Sequence, residues 1–236
     1  MSKCTVCNSD TVDIGYLPFD SNAVGVPIVD DTPIHYVRCK SCFSVSAPTM
    51  LQWSDIELAS KVYNSEYVKY DPSYLTDRPN NYYKYLKENV KHKYVKNIRH
   101  LDYGSGAGIM VAKLKNSGWN SKCYDPFSHN VRPTTKFNFV SAIEVIEHSK
   151  DVQATLVDIL SFMEEDGVAL ITSHLSKEDT GIDWWYLNPR GGHINIMGVR
   201  ALQIIARRLD VEIFSNGINF HIMCRKEIHK KKVLGW

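Results

Sequence analysis

Beyond residue 97 the sequence alternates short β-type runs with helical ones, and this rhythm constrains the fold more than any other feature. NIRHLDYG reads as a strand, IMVAKLKNSG as a helix stopped by Gly118, and NSKCYDP and KFNFVSAIEVI as strands. DVQATLVDILSFMEEDG reads as an amphipathic helix, with Val152, Leu156, Ile159, Leu160 and Met163 in its apolar stripe and Gly167 just beyond its end. VALITSHL follows as a buried-type strand and GVRALQIIARRLD as a helix. VEIFSN and INFHIMCRK close the pattern as a hairpin around Asn216-Gly217. Such alternation implies a mostly parallel sheet with helices on both faces, and ligands at the carboxyl ends of its strands.

The first fifty residues follow no such rhythm. They carry two CxxC pairs, Cys4/Cys7 and Cys39/Cys42, with prolines at 18, 27, 33 and 48. TVDIGYLPF and PIHYVRC read as short strands of a loop-rich module. Four thiolates in two such turns complete a tetrahedral zinc site, and a closed four-sulfur site leaves no open position for catalysis. The metal would organise a module too small to build its own core. Four buried free thiols would leave the paired spacing unexplained, and neither pair opens a βαβ helix as a redox CxxC does.

Between these regions, SDIELASKVYNSEYV reads as a helix with Ser54 as N-cap and Glu57 at capping-box spacing. A tyrosine-rich loop, YDPSYLTDRPNNYYKYL, precedes a basic helix over roughly 80–96, with Tyr82, Leu86 and Val90 on one face. The formal net charge of the 236 residues is +2, which makes no overall case for a nucleic-acid partner. No apolar run approaches the roughly 20 residues of a membrane span. MSKCTVCNSD lacks the apolar core of a secretion signal, so a cytoplasmic location is expected. The basic tail RKEIHKKK reads as solvated.

The glycine turn LDYGSGAGIM carries Gly104, Gly106 and Gly108 two apart, between a strand and a helix. No Gly-Lys-Ser/Thr follows, so a Walker phosphate loop is excluded, and the spacing fits the dinucleotide G-x-G-x-x-G poorly. Asp125 closes the second strand about twenty residues on, where a carboxylate can accept from both hydroxyls of a ribose. Asp102, just before the glycines, favours a ligand with a positive group rather than a pyrophosphate. S-adenosylmethionine has a ribose, an ammonium and a sulfonium, and no phosphate. The alternative is a helix-start turn with no ligand.

HLDYGSGAG and YDPF resemble the first two motifs of the class I S-adenosylmethionine-dependent methyltransferases. FVSAIEVIEHSKD and DWWYLNPRGGHINIMGVRALQII are similar to segments of their ubiquinone-methyltransferase-like branch, and the resemblance runs over roughly 82–225. It implies a Rossmann-like α/β fold whose seven-strand sheet takes its last strand antiparallel. It also implies cofactor contacts from Asp102, Gly104, Gly106, Gly108, Asp125, Pro126 and Glu144. CxxC pairs followed by KVYNSEY occur in a subset of these enzymes acting on sugars or in glycan and natural-product pathways, which points to a sugar or other small-molecule acceptor. The sequence departs from the family where only SHNVRPTT separates YDPF from KFNFVSAIEVIEH. The usual helix and third strand hardly fit there, and the acid that often contacts adenine is missing. The expected division is a zinc-binding module at 1–50, a helical linker covering the acceptor pocket at 51–97, and the methyltransferase domain at 98–236.

Methyl transfer to an alcohol needs a group that takes the proton. His148 in IEVIEH and His193 in NPRGGHINI are the candidate bases, with His174 a third. Glu147 would orient His148 or face water. Trp184, Trp185 and Tyr186, with Tyr63, Tyr67, Tyr70 and Tyr74, would line the acceptor pocket or pack the core. Arg190 would bind an acceptor phosphate or carboxylate or, more in keeping with its type, lie on the surface. Two other functions fit the same motifs: an RNA methyltransferase gripping RNA with the zinc module and the basic helix, and a cofactor-binding protein without catalysis. Neither the acceptor atom nor the oligomeric state follows from the sequence.

Overall fold

The computed structural model describes residues 2–90 and 95–226. In chain order its strands are β1 (Thr11–Pro18), β2 (Pro33–Cys39), β3 (Val45–Ser46), β4 (Arg99–Tyr103), β5 (Asn120–Tyr124), β6 (Phe137–Ile143), β7 (Met163–Thr172), β8 (Asn195–Ile196), β9 (Glu212–Ser215) and β10 (Phe220–Cys224). They form two sheets, ordered β1-β2-β3-β8 and β5-β4-β6-β7-β10-β9. The chain divides into two compact units. The first comprises Met1–Pro72, Ile146–Gln153 and Ser173–Ile205, and the second Ser73–Val145, Ala154–Thr172 and Ala206–Trp236.

The second unit holds the six-stranded sheet. β4 pairs in parallel with β5 and β6, and β6 with β7. Phe137, Phe139, Val140 and Ala142 of β6 are all buried, as a central parallel strand covered on both faces requires. β10 enters antiparallel between β7 and β9, as the terminal hairpin implied. Gly217 takes φ +74°, and the Asn216 carboxamide oxygen accepts from three successive N–H groups at 218–220. Among the described residues the sheet has six strands rather than seven. From β5 to β6 the chain forms no further helix or strand, only the Asp125/His129 bridge, so the short SHNVRPTT segment accounts for the missing element.

Two expectations fail here for stated reasons. The amphipathic helix runs Val152–Ser161 only, and MEEDG opens β7. Met163 pairs with Phe137, and Gly167 lies beside the irregularity in that ladder rather than at a helix end. A Cβ on Gly167 would stand 3.1 Å from the Phe137 carbonyl oxygen. Sheet pairing overrides the helical preference of Met-Glu-Glu. The tyrosine-rich loop is instead a 3-10 turn, Pro72–Leu75, followed by a helix Asp77–Asn89, whose first turn tolerates Pro79. Leu86 and Val90 of this segment join Met110, Leu114, Phe139 and Ile222 in the core of the unit, with Tyr82 packed against them. Residues 91–94 of the expected basic helix, and the basic tail from 227, lie outside the described residues.

The first unit is built on the β1/β2 hairpin, with two-residue β3 and β8 completing its sheet. β8 is some 150 residues further along the chain than β3, yet Val45 pairs with Ile196. Its core joins Ile34, Tyr36, Val45 and Met50 to Tyr186, Leu187, Ile194 and Ile196. The helix Asp55–Lys61 starts with the expected capping box of Ser54 and Glu57. It ends earlier than its sequence suggested, and a separate turn of helix, Tyr67–Tyr70, follows.

Candidate functional site

In the second unit the β4 chain turns into the helix Ile109–Asn116 through three glycines with φ of +71°, +50° and +72°. A Cβ on Gly104 would stand 2.5 Å from Val145 Cγ2, and one on Gly106 would stand 2.5 Å from the Tyr74 hydroxyl. Both positions therefore require glycine for conformation and for space. The N–H groups of Gly104 and Ser105 donate to the Tyr124 carbonyl at the end of β5.

Asp125 follows that strand end. Its Oδ2 accepts from Gly106 N–H at 2.9 Å, and its Oδ1 from Phe127 and Ser128 N–H at 2.8 and 3.0 Å. Three backbone donors thus fix this carboxylate against the glycine turn, with Pro126 exposed beside it. Asp102 points within the sheet and accepts from the Ser141 hydroxyl at 2.6 Å. Burial pushes its carboxyl up to about 7; Ser141 works against the rise and Asp125's charge adds to it. Glu144 leaves β6 with φ +52°, a conformation uncommon for a non-glycine residue. Its N–H donates to Thr172, and its carboxylate accepts from the Thr172 hydroxyl at 3.0 Å.

The first unit brings His148 and His193 together, with ring centroids 5.0 Å apart. His148 Nδ1 meets the Gly192 carbonyl at 3.0 Å, and His193 Nδ1 meets the Tyr186 carbonyl at 2.8 Å. A carbonyl only accepts, so each Nδ1 carries a proton, and whenever the ring is neutral its lone pair is on Nε2. Gly192 takes φ +83°, and a Cβ there would meet the Tyr63 hydroxyl at 2.9 Å and His148 Nδ1 at 3.2 Å. Glu147 is fully buried rather than facing water. It accepts from the Tyr186 hydroxyl at 2.7 Å and lies 3.9 Å from His148 Nε2. The donor atoms of Glu147, His148 and His193 all lie within 4.8 Å of one another, a carboxylate–bis-imidazole set able to take a divalent cation. The sequence did not reveal this cluster, because Tyr186 and His193 lie some 40 residues from the IEVIEH segment.

Arg190 is not on the surface. It is 3% exposed, stacks over Tyr70 at 4.1 Å, donates to the Val62 carbonyl and Asn64, and stands 3.7 Å from Asp20. These partners make it a strut of the unit rather than an anion receptor. Tyr186 is buried and Trp184 packs on the same core, whereas Trp185 is exposed and takes the edge of His174. Of the four tyrosines singled out, 63, 67 and 70 belong to this unit and Tyr74 to the other.

Cys4, Cys7, Cys39 and Cys42 also converge in the first unit, their sulfurs all within 4.8 Å of one another. Cys4–Cys42 and Cys7–Cys39 are separated by 3.5 and 3.4 Å, against about 3.8 Å between sulfurs around tetrahedral zinc. The N–H groups of Val6, Ser41 and Cys42 point at Cys4 or Cys39 sulfur, as suits thiolates. This donor set fits a zinc ion.

A largely parallel sheet with a glycine turn at β4 and a carboxylate closing β5 defines an α/β domain of the nucleoside-cofactor-binding kind. The family described as Methyltransferase domain matches residues 59–216, and the chain belongs to it. It is similar to the ubiquinone biosynthesis O-methyltransferases of Rickettsia typhi and Rickettsia prowazekii, at 25% identity to each. These matches cover 38% of this chain and 47% and 46% of the relatives, so the chain spans about half the length of the curated relatives it matches. An O-methyltransferase family protein from Burkholderia thailandensis superposes with a TM-score of 0.53 at 10% identity, covering 76% of this chain and 67% of that one. The mitomycin 7-O-methyltransferase MmcR gives 0.51 at 11%, covering 74% and 61%. At these identities the two structures show the fold. No helix of the described residues is long and apolar enough to cross a membrane.

Proposed function

We propose that the protein is an S-adenosylmethionine-dependent methyltransferase acting on a hydroxyl of a small molecule, with a sugar, nucleotide-sugar or glycan precursor as acceptor. The observation that carries this reading is the turn at Gly104, Gly106 and Gly108 set between two buried carboxylates, Asp102 and Asp125, in a chain of the methyltransferase-domain family. When bound, S-adenosylmethionine supplies an electrophilic methyl carbon. Asp102 would face the ammonium of its amino-acid end, and the remaining acceptor capacity of Asp125 would take the ribose hydroxyls. Pro126 and Glu144 would flank the same ligand.

His148 or His193 would take the acceptor's proton at Nε2, since each Nδ1 proton is held by a carbonyl. Glu147 beside His148 would stabilise the imidazolium that results. The four cysteines would hold a zinc ion with a structural role. The RNA alternative rests on the basic stretch 84–100, of which residues 91–94 lie outside the described residues; in the helix Asp77–Asn89, Arg78, Lys84 and Lys87 stand among Asp77 and Glu88.

The test is transfer of labelled methyl from S-adenosylmethionine to a panel of nucleotide-sugars and other small hydroxyl acceptors. Turnover on one of them, lost by at least about 100-fold in His148→Ala or His193→Ala with cofactor binding retained, is expected. Near-normal turnover in both variants excludes the histidine base. Transfer to RNA alone, abolished by salt, would overturn the small-molecule assignment.

A further inference from the structure

Four side chains of the second unit form one hydrogen-bonded row across β5, β4 and β6. The Ser121 hydroxyl meets His100 Nδ1 at 2.6 Å, and His100 Nε2 meets Ser141 Oγ at 2.9 Å. The Ser141 hydroxyl donates to Asp102 Oδ1 at 2.6 Å. None of the four is more than 5% exposed, and His100 is wholly enclosed, with Trp119 edge-on and Phe139 stacked against it. Burial lowers His100 to about 3, so the ring is neutral and carries a single N–H.

That single proton fixes the direction of the row. Ser141 gives its proton to Asp102, so its oxygen accepts from His100 Nε2–H. His100 Nδ1 then accepts from Ser121. Every donor points toward Asp102, and each bond polarises the next. A protonated Asp102 would hold its proton on Oδ2 or force the row to reverse; in either case the Ser141 hydroxyl bonds the carboxylate more strongly than the neutral acid, so the row favours the ionised form.

We infer that His100 is a positioning residue for cofactor binding: through Ser141 it orients Asp102 and favours the ionised form that receives the ligand's ammonium. This rests on the reading of Asp102 given under the proposed function. Among the described residues, the ionisable groups coupled to Asp102 are Asp125 and Cys123 from the β5 side; β6 presents Ser141 to it. Asp125 opposes ionisation, and the row supports it.

The test is calorimetry with S-adenosylhomocysteine from pH 6 to 8.5 on the unsubstituted protein and on His100→Leu, His100→Gln and Ser141→Ala. The unsubstituted protein is expected to bind, with affinity falling about tenfold per pH unit below the Asp102 midpoint. In His100→Leu and Ser141→Ala the midpoint moves up, so affinity drops about tenfold at pH 7 and recovers by pH 8.5. The side-chain amide that His100→Gln introduces can donate to Ser141, so this variant keeps the original profile. An unchanged profile in both disrupted variants, or an equal loss at every pH, overturns the inference while leaving the cofactor reading intact. An unsubstituted protein that binds at no pH overturns both. Should the Leu and Ala variants fail to fold, nitrogen NMR of the unsubstituted protein decides. His100 is expected as the Nε2–H tautomer at pH 8.5, donating to Ser141; an Nδ1–H tautomer there, which has no proton to give Ser141, overturns the role.

Discussion

Asp102 has an unusual setting for an aspartate: it is 5% exposed, accepts from one hydroxyl, and has Asp125 as a like-charged neighbour. Its carboxyl is raised to about 7 by burial, against about 3.9 in an unfolded chain. The folded protein therefore binds this proton more tightly than the unfolded one. The stability linked to it is complete below about pH 4 and lost as pH rises through 7. Asp102→Asn escapes that loss. Its melting temperature relative to the unsubstituted protein is expected to climb between pH 5 and 8.5, while its affinity for S-adenosylhomocysteine falls; a difference flat with pH contradicts the account. The glycines allow a second check. Gly104→Ala combines a positive φ with the clash on Val145, whereas Gly118→Ala has φ +85° and nothing within 4 Å. The Gly118 change should cost about 1–3 kcal/mol from backbone strain, and the Gly104 change more. Equal losses in urea denaturation would show that Val145 gives way freely.

Elements show how the first unit is held together. β3 begins three residues after Cys42 and pairs with β8, and Gly198 packs so closely that a Cβ would stand 2.0 Å from the Cys42 carbonyl oxygen. The cysteine turns therefore anchor the segment that carries His193. Zinc chelation, or Cys39→Ser, is expected to release zinc and raise hydrogen exchange at Pro33–Cys39, Val45–Ser46 and Asn195–Ile196 together. Exchange confined to the cysteine turns, or no metal released, contradicts this coupling. The sequence disclosed the strand–turn–helix at 99–116, the terminal hairpin and the Ser54 capping box, because each is specified by residues within one or two turns of chain. It did not disclose β3 and β8, whose two residues each carry no period and pair only by long-range packing. The C-terminal third of the expected helix at 151–167 is not helical, because the helical pattern in MEEDG yields to the β6 ladder. Residue type favours exposure for Arg190, and for Glu147 it leaves both orienting His148 and facing water open; only the fold supplies the partners that permit burial.

At the scale of the whole molecule, two folding units are threaded by one chain that crosses between them several times. The glycine turn and both of its carboxylates belong to one unit; the histidine pair and the cysteine cluster belong to the other. This division separates the predictions. Changes at Asp102 or Asp125 should weaken nucleoside binding without moving zinc content, whereas changes at Cys4 or Cys39 should lose zinc first. Calorimetry of the zinc-replete protein with S-adenosylhomocysteine tests the central claim most directly. One equivalent of ligand is expected to bind, with about tenfold or greater loss in Asp125→Ala, whose ribose contacts would be gone. No heat with either S-adenosylhomocysteine or S-adenosylmethionine would contradict it.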